Sequence, residues 1–159
     1  MSALDSILEK AKVSECKLVF PEGQDPRVVE AANNVIADGI AEVVVLGTEE
    51  EIAAACAEAG VTERKFEIID PATSDLVPGF AEEFCEMRKK KGMTLEKATE
   101  TMKNRLYFAN MMCRKELVGG LVAGSIASTG DMLRASFQVI GTAPGIKTGS
   151  SCMLMDLVT

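Results

Sequence analysis

The sequence predicts an α/β fold, a mostly parallel sheet flanked by helices, on three observations. Short apolar runs alternate with segments of helical periodicity between Cys16 and Asp70, and the connections between them are short. One run, AEVVVLG (Ala41 to Gly47), is apolar without interruption. A continuous apolar run marks a strand buried on both faces. Strand–helix–strand alternation with short links implies parallel strands covered by helices.

Each element follows from its residues. MSALDSILEKAK reads as a polar amphipathic helix. CKLVFPEG (Cys16 to Gly23) is a short apolar run closed by a turn, hence a strand. Asp25 then caps a helix with Pro26 at its first position, where a missing N–H costs nothing. Val28, Val29, Ala32, Val35 and Ile36 recur at helical spacing, and Gly39 stops the helix. After the AEVVVLG strand comes a helix from Glu49 to Ala59, ended by Gly60, and FEIID (Phe66 to Asp70) is a third strand. Ala81 to Lys91 reads as a helix whose terminal cations face the negative end of its dipole, with Gly92 beyond. Thr94 can cap one longer helix from Leu95 to about Arg114, with Leu95, Ala98, Met102, Leu106, Ala109 and Cys113 on one face. GGLVAGS (Gly119 to Ser125) is a fourth strand, Asp131 to Ile140 a helix, and CMLMDLV (Cys152 to Val158) a fifth strand. A domain seldom ends on an apolar strand with no covering helix, so the chain is expected to be a fragment.

Composition narrows the chemistry. The 159 residues fit one domain of ordinary size, and 47% are hydrophobic, enough for a packed core. The formal net charge of −7 opposes general nucleic-acid binding, which needs a basic surface to displace counterions. No apolar run reaches the roughly 18 to 20 residues of a membrane span, and the N-terminus lacks the basic start and apolar centre of a signal peptide. A cytoplasmic location is the expectation. Cys16, Cys56, Cys85, Cys113 and Cys152 are widely spaced and form no CxxC pair, so a zinc site or disulfide framework is not expected. Most of these thiols read as small core residues, and Met111, Met112 and Cys113 as packing rather than a metal site. There is no histidine, which excludes Ser-His-Asp and Cys-His catalysis within the chain. Any general base here is Asp, Glu, Lys, Tyr or Cys.

Two phosphate motifs fail. GxGxxG is absent. GTAPGIKT has only three residues between its glycines, places Ile146 between Gly145 and Lys147, and follows a helix rather than a strand, so it is not a P-loop. GSIASTGD (Gly124 to Asp131) stands at the C-terminal end of a parallel strand and leads into a helix, the edge where ligands gather in open α/β sheets. Its small residues admit an anion to the backbone N–H groups, Ser125, Ser128 and Thr129 offer hydroxyls, and Arg134 a planar fork. The plainer alternative is a helix capped by Thr129 or Asp131 with Arg134 in solvent, and the residues alone favour it. Arg88, in EMRKKKG, is by the same token most simply a dipole-stabilising cation.

Taken together, VFPEGQDPRVVEAA, GIAEVVVLG, EMRKKKGMTLEKA, YFANMM and VAGSIASTGDMLRASFQVIGTAPG run in order along nearly the whole chain. In these segments the sequence resembles the phosphate acetyl/butyryl transferase family, which includes the phosphate acetyltransferases (phosphotransacetylases). The resemblance implies a two-domain fold like that of the isocitrate and isopropylmalate dehydrogenases, with residues 1–145 as the incomplete first domain and 146–159 as the start of the second. It implies an acyltransferase that exchanges the acetyl group between acetyl-CoA and inorganic phosphate, giving acetyl phosphate and CoA. No cofactor or metal is implied, and the intact family enzyme is expected to be a homodimer. By the same resemblance Arg88 falls on an arginine of the active-site cleft. Arg134 falls on one that contacts phosphate or CoA phosphates, and Ser128 and Thr129 on hydroxyl residues lining that pocket. The family's pattern usually has proline where Ala135 stands. Its proposed base, an aspartate, lies in a C-terminal half beyond Thr159, so the chain alone is expected to be inactive. Phosphate butyryltransferase and a non-catalytic acyl-CoA-sensing domain are the alternatives, the N-terminal start arguing against the latter.

Overall fold

In a computed structural model, which describes residues 3–152, the chain forms the expected parallel sheet with helices on both faces. Helix α1 (Ala3–Lys12) precedes β1 (Lys17–Phe20), α2 (Pro26–Ala37), β2 (Glu42–Leu46), α3 (Glu49–Ala59) and β3 (Glu67–Ile69). Then come α4 (Val77–Arg88) with a 3₁₀ turn (Lys89–Lys91), α5 (Leu95–Met102), α6 (Arg105–Arg114), β4 (Gly120–Leu121) and α7 (Thr129–Val139). The strand order is β3-β2-β1-β4, every pair parallel.

Period-2 alternation along the strands sorts the core into two layers. Val19, Val44 and Leu46 face Phe80, Phe84, Met102, Phe108 and Met111 from α4, α5 and α6. Phe20, Val43 and Val45 point the other way, onto Val29, Ala32, Ile52 and Ala55 from α2 and α3. Strand β2 is therefore covered on both sides, which is why its sequence is apolar without a break.

The local signals are physical caps. Asp25 accepts from the Arg27 N–H at 2.9 Å with Pro26 at the first helical position. Thr48 and Glu51 form a reciprocal capping box on α3, and Gly60 closes that helix in the left-handed region at φ 72°.

Four expectations need correction. The single long helix from Leu95 is two helices, broken at Lys103 and Asn104. The Asn104 carboxamide oxygen accepts from the Leu106 and Tyr107 N–H groups at 3.0 and 3.4 Å, starting a fresh helix. The apolar spacing continues across the break, so periodicity hides it. Helix α4 begins at Val77, four residues before Ala81, with a proline in its first turn. The cap of α7 is Ser128, not Thr129 or Asp131: its hydroxyl accepts from the Asp131 N–H at 3.2 Å. Strand β4 is only two residues long, pairing Leu18 with Gly120 and Val19 with Leu121. The anticipated strand from Cys152 to Val158 lies outside the described residues apart from Cys152, which is in no strand. Of the cysteines, Cys56 is buried, Cys16, Cys85 and Cys113 are half-buried, and Cys152 is exposed. Among the described residues no helix is long and apolar enough to cross a membrane.

The order of the strands decides where a ligand can sit. From β1 the chain steps outward to β2 and β3, then crosses back through α4–α6 to place β4 on the other side of β1. The carboxyl ends of β1 and β4 thus flank a topological switch point, where connections leave in opposite directions and open a crevice.

Two substitutions test this framework. A Cβ at Gly23 would lie 2.6 Å from Val45 Cγ1 and 2.7 Å from the Leu46 carbonyl oxygen, and that backbone cannot yield. Gly23→Ala is expected to cost about 1–3 kcal/mol, read as a lowered urea midpoint; an unchanged midpoint contradicts the close approach. Asn104→Ala is expected to cost about 1 kcal/mol and to speed amide exchange first at Leu106 and Tyr107; uniform exchange along α6 would show that Asn104 does not start the helix.

Candidate functional site

At the switch point the loop after β1, Pro21 to Asp25, meets the loop after β4, Val122 to Ser128. The meeting is made by a carboxylate. Glu22 is 4% exposed, and its two oxygens accept from four consecutive backbone N–H groups. Oε2 takes Gly124 and Ser125 at 2.8 Å each; Oε1 takes Ile126 at 2.9 Å and Ala127 at 2.7 Å. Burial pushes the Glu22 carboxyl up, but the four N–H donors together outweigh it and hold it below its ordinary value. Gly124 makes the turn possible, at φ 111° and with a built Cβ only 2.9 Å from Met132 Sδ.

Asp25 adds a second tie. It accepts from Arg27 Nε at 3.0 Å and Nη2 at 2.6 Å, and from the Ser125 hydroxyl at 2.5 Å. The Arg27 guanidinium and the Ser125 hydroxyl hold the Asp25 carboxyl well below the usual carboxylate range, against its burial. Arg27 also donates to the Ser125 carbonyl at 3.3 Å.

This arrangement changes one expectation. The sequence leaves the N–H groups of GSIA open to a bound anion; the anion they hold is Glu22. What remains open on the far side is the start of α7. Ser128, Thr129 and Arg134 share its first turn and a half and are all exposed. Ser128 Oγ donates to Asp131 Oδ2 at 2.7 Å, and Arg134 Nη1 donates to Asp131 Oδ1 at 3.0 Å, its side chain 63% exposed.

Arg88 stands apart from these three, with no hydrogen bond, ion pair or ring contact to them. Its guanidinium lies 5.8 Å from the Phe84 ring centroid and makes no ion pair among the described residues. A chain of contacts nevertheless leads to α7. Phe84 meets Tyr107 edge-on with centroids 5.8 Å apart, and the Tyr107 hydroxyl donates to Gln138 Oε1 at 3.2 Å, one turn beyond Arg134.

A cleft of about 340 Å³ opens beside Glu22, lined by Gln24, Lys103, Asn104, Arg105 and Ile126 among others. Arg105 crosses its wall, donating to Gln24 Oε1 at 2.5 Å and pairing with Glu51. Sequence reasoning singled out neither Glu22 nor Arg105. PEG reads locally as a turn, and the break that places Arg105 at the start of α6 hides behind continuous apolar spacing.

Relatives share this framework. A solved phosphotransacetylase of Streptococcus pyogenes superposes with a TM-score of 0.85 at 36% identity, over 93% of this chain and 46% of that one. The EutD phosphotransacetylase of Staphylococcus aureus gives 0.83 at 35% identity, over 91% and 44%. Among curated proteins, the phosphate acetyltransferase of Thermoanaerobacterium thermosaccharolyticum is 46% identical over 157 residues, 99% of this chain and 47% of the relative. That of Clostridium acetobutylicum is 39% identical over 155 residues. The chain spans about half the length of the curated relatives it matches. The family model described as phosphate acetyl/butaryl transferase matches residues 2–159, and with these identities the chain belongs to that family.

Proposed function

We propose that this chain supplies one wall of the acyl-CoA and phosphate cleft of a phosphate acetyltransferase, and that the general base stands on a further part of the protein. The observation that carries the reading is the exposed start of α7. Ser128, Thr129 and Arg134 are exposed there, next to a loop whose own N–H groups are already engaged, which leaves them free to take a substrate anion. The relatives' names support the activity, and their length supports a longer protein. So does the outer face of α7, where Leu133, Phe137 and Ile140, at helical spacing, are each about half exposed. In this reading residues 1–145 form the first domain and 146–159 begin the second.

The chemistry is one acyl transfer. A carboxylate base takes the proton from the CoA thiol, and the thiolate attacks the carbonyl carbon of acetyl phosphate. The bond between that carbon and the phosphate oxygen breaks, and phosphate leaves with the electron pair. In the reverse direction phosphate attacks acetyl-CoA and CoA thiolate leaves. Arg134 carries the electrostatic part, matching the charge that collects on the phosphate oxygens. Its present partner, Asp131, is an exposed i,i+3 neighbour; such a pair is worth at most about 1 kcal/mol. A phosphate dianion in a cleft shielded from water offers more, so the exchange of partners runs toward the substrate. In this reading Arg88 contributes to the cleft from the end of α4, and its packing on Phe84, 5.8 Å to the ring centroid, supports a held guanidinium. The intact enzyme acts as a homodimer in the cytoplasm and needs no prosthetic group or catalytic metal.

Arg134→Gln in the full-length protein is expected to lower kcat/KM for phosphate by about ten- to a hundredfold, the worth of a charged hydrogen bond of about 1.5–3 kcal/mol. Circular dichroism should stay unchanged; unaltered kinetics would remove Arg134 from the site. Acyl preference is read by comparing acetyl-, propionyl- and butyryl-CoA. The highest kcat/KM is expected for acetyl-CoA, and a maximum at butyryl-CoA would make the enzyme a phosphate butyryltransferase instead.

A further inference from the structure

Glu22 is a buried carboxylate that the reaction proposed above does not use, and all four of its hydrogen bonds come from backbone N–H groups of the loop after β4. Each oxygen takes two N–H donors. Four accepted bonds fill both lone pairs of both oxygens, so no lone pair is left to receive a substrate proton. Glu22 is therefore not the missing base. Its position says what else it does. The last ladder bond of β4 is from the Val122 N–H to the Val19 carbonyl at 3.1 Å, and α7 starts at its Ser128 cap. Between those points the Gly124, Ser125, Ile126 and Ala127 N–H groups bond to Glu22. Without it, four N–H groups in a row would lose the partner they have, and the start of α7 would hang from a two-residue strand.

We propose, on the basis of the phosphate acetyltransferase reading, that Glu22 is a positioning residue for this site: a built-in anion that fixes the Gly124–Ala127 backbone and so aims Ser128 and Arg134 at the substrate phosphate. The tie of Asp25 to the Ser125 hydroxyl and of Arg27 to the Ser125 carbonyl restrains the same loop from the side. The carboxylate also confers selectivity. Its charge occupies the amide cradle and repels a second anion there, leaving the α7 face with Arg134 for phosphate.

The test is Glu22→Gln in the full-length enzyme. The isosteric amide keeps one acceptor oxygen and turns an NH₂ group toward two N–H donors, removing the charge and half of the bonds. Hydrogen exchange across residues 122–130 should accelerate at least about tenfold while β1 and β2 stay protected, a local opening rather than global unfolding. In the same variant kcat/KM for phosphate should fall at least about tenfold, the order of one lost charged hydrogen bond. In an Arg134→Gln background the further fall should be less than about threefold, because groups acting through one another are not additive. Unchanged exchange at 122–130, or losses that multiply independently with Arg134→Gln, overturns the proposal. A silent Arg134→Gln beside a damaging Glu22→Gln overturns the path through Arg134 and leaves the exchange data to report on the clamp itself. Should Glu22→Gln not fold, Glu22→Asp serves. It keeps the charge and draws it back by one methylene, and it is read by the same two measurements against the same limits.

Discussion

The carboxylate of Glu22 and the four N–H groups it accepts are the joint on which the ligand edge of this fold depends. Burying a charge is costly, and it survives only where hydrogen bonds replace the lost water. Here the replacement is complete, by four backbone donors, two to each oxygen. The consequence extends past the loop. Strand β4 pairs with β1 through two residue positions, a thin connection for a strand that must carry a helix at its end. The carboxylate adds a second connection, from the end of β1 to the loop after β4, so the two strands are joined both along their ladder and beyond it.

The joint lies where it does because of the sheet's order. Alternating side chains of β1 and β2 commit one face to α2 and α3 and the other to α4, α5 and α6. The change of side between β3 and β4 opens the crevice at the end of β1, and the same crossover brings the broken α5–α6 pair to its rim. The break at Asn104 therefore serves geometry: a straight helix would carry Arg105 onward, whereas the new start lets it reach Gln24 and Glu51 across the cleft. Phe80 and Phe108, with centroids 5.1 Å apart, lock α4 to α6 below.

Much of this was legible because it is local. The first three strands with their two helices follow from apolar runs and caps within a few residues of one another, and Asp25, Pro26, Gly39 and Gly60 do in the structure what their residue types imply. The break at Asn104 was not legible, since its cap competes with an apolar period that runs through it unchanged. Glu22 was not legible for a different reason. Its partners lie more than a hundred positions away, and only the strand order β3-β2-β1-β4 brings them near. The small residues of GSIA imply N–H groups open to an anion, and the one they hold comes from the chain itself. The family resemblance is what points to Ser128, Thr129, Arg134 and Arg88, and no spacing rule joins Arg88 to the others; the route through Phe84, Tyr107 and Gln138 is tertiary.

An internal anion in the amide cradle also settles how the loop divides its work. A helix start combines N–H groups with a favourable dipole, and an empty cradle would draw phosphate deep against the strand ends. With Glu22 filling that place, its charge and the Gly124–Ala127 donors cancel locally, and the potential that survives comes from the α7 start and Arg134. The bond from Ser128 to Asp131 and the pair of Asp131 with Arg134 are both exposed and short in sequence, so they hold the groups in place without holding them fast. The loop is thus held on the side facing the protein and exchangeable on the exposed side, at the start of α7. That division is what the proposed phosphate site would need: a fixed frame with an arginine able to change partners.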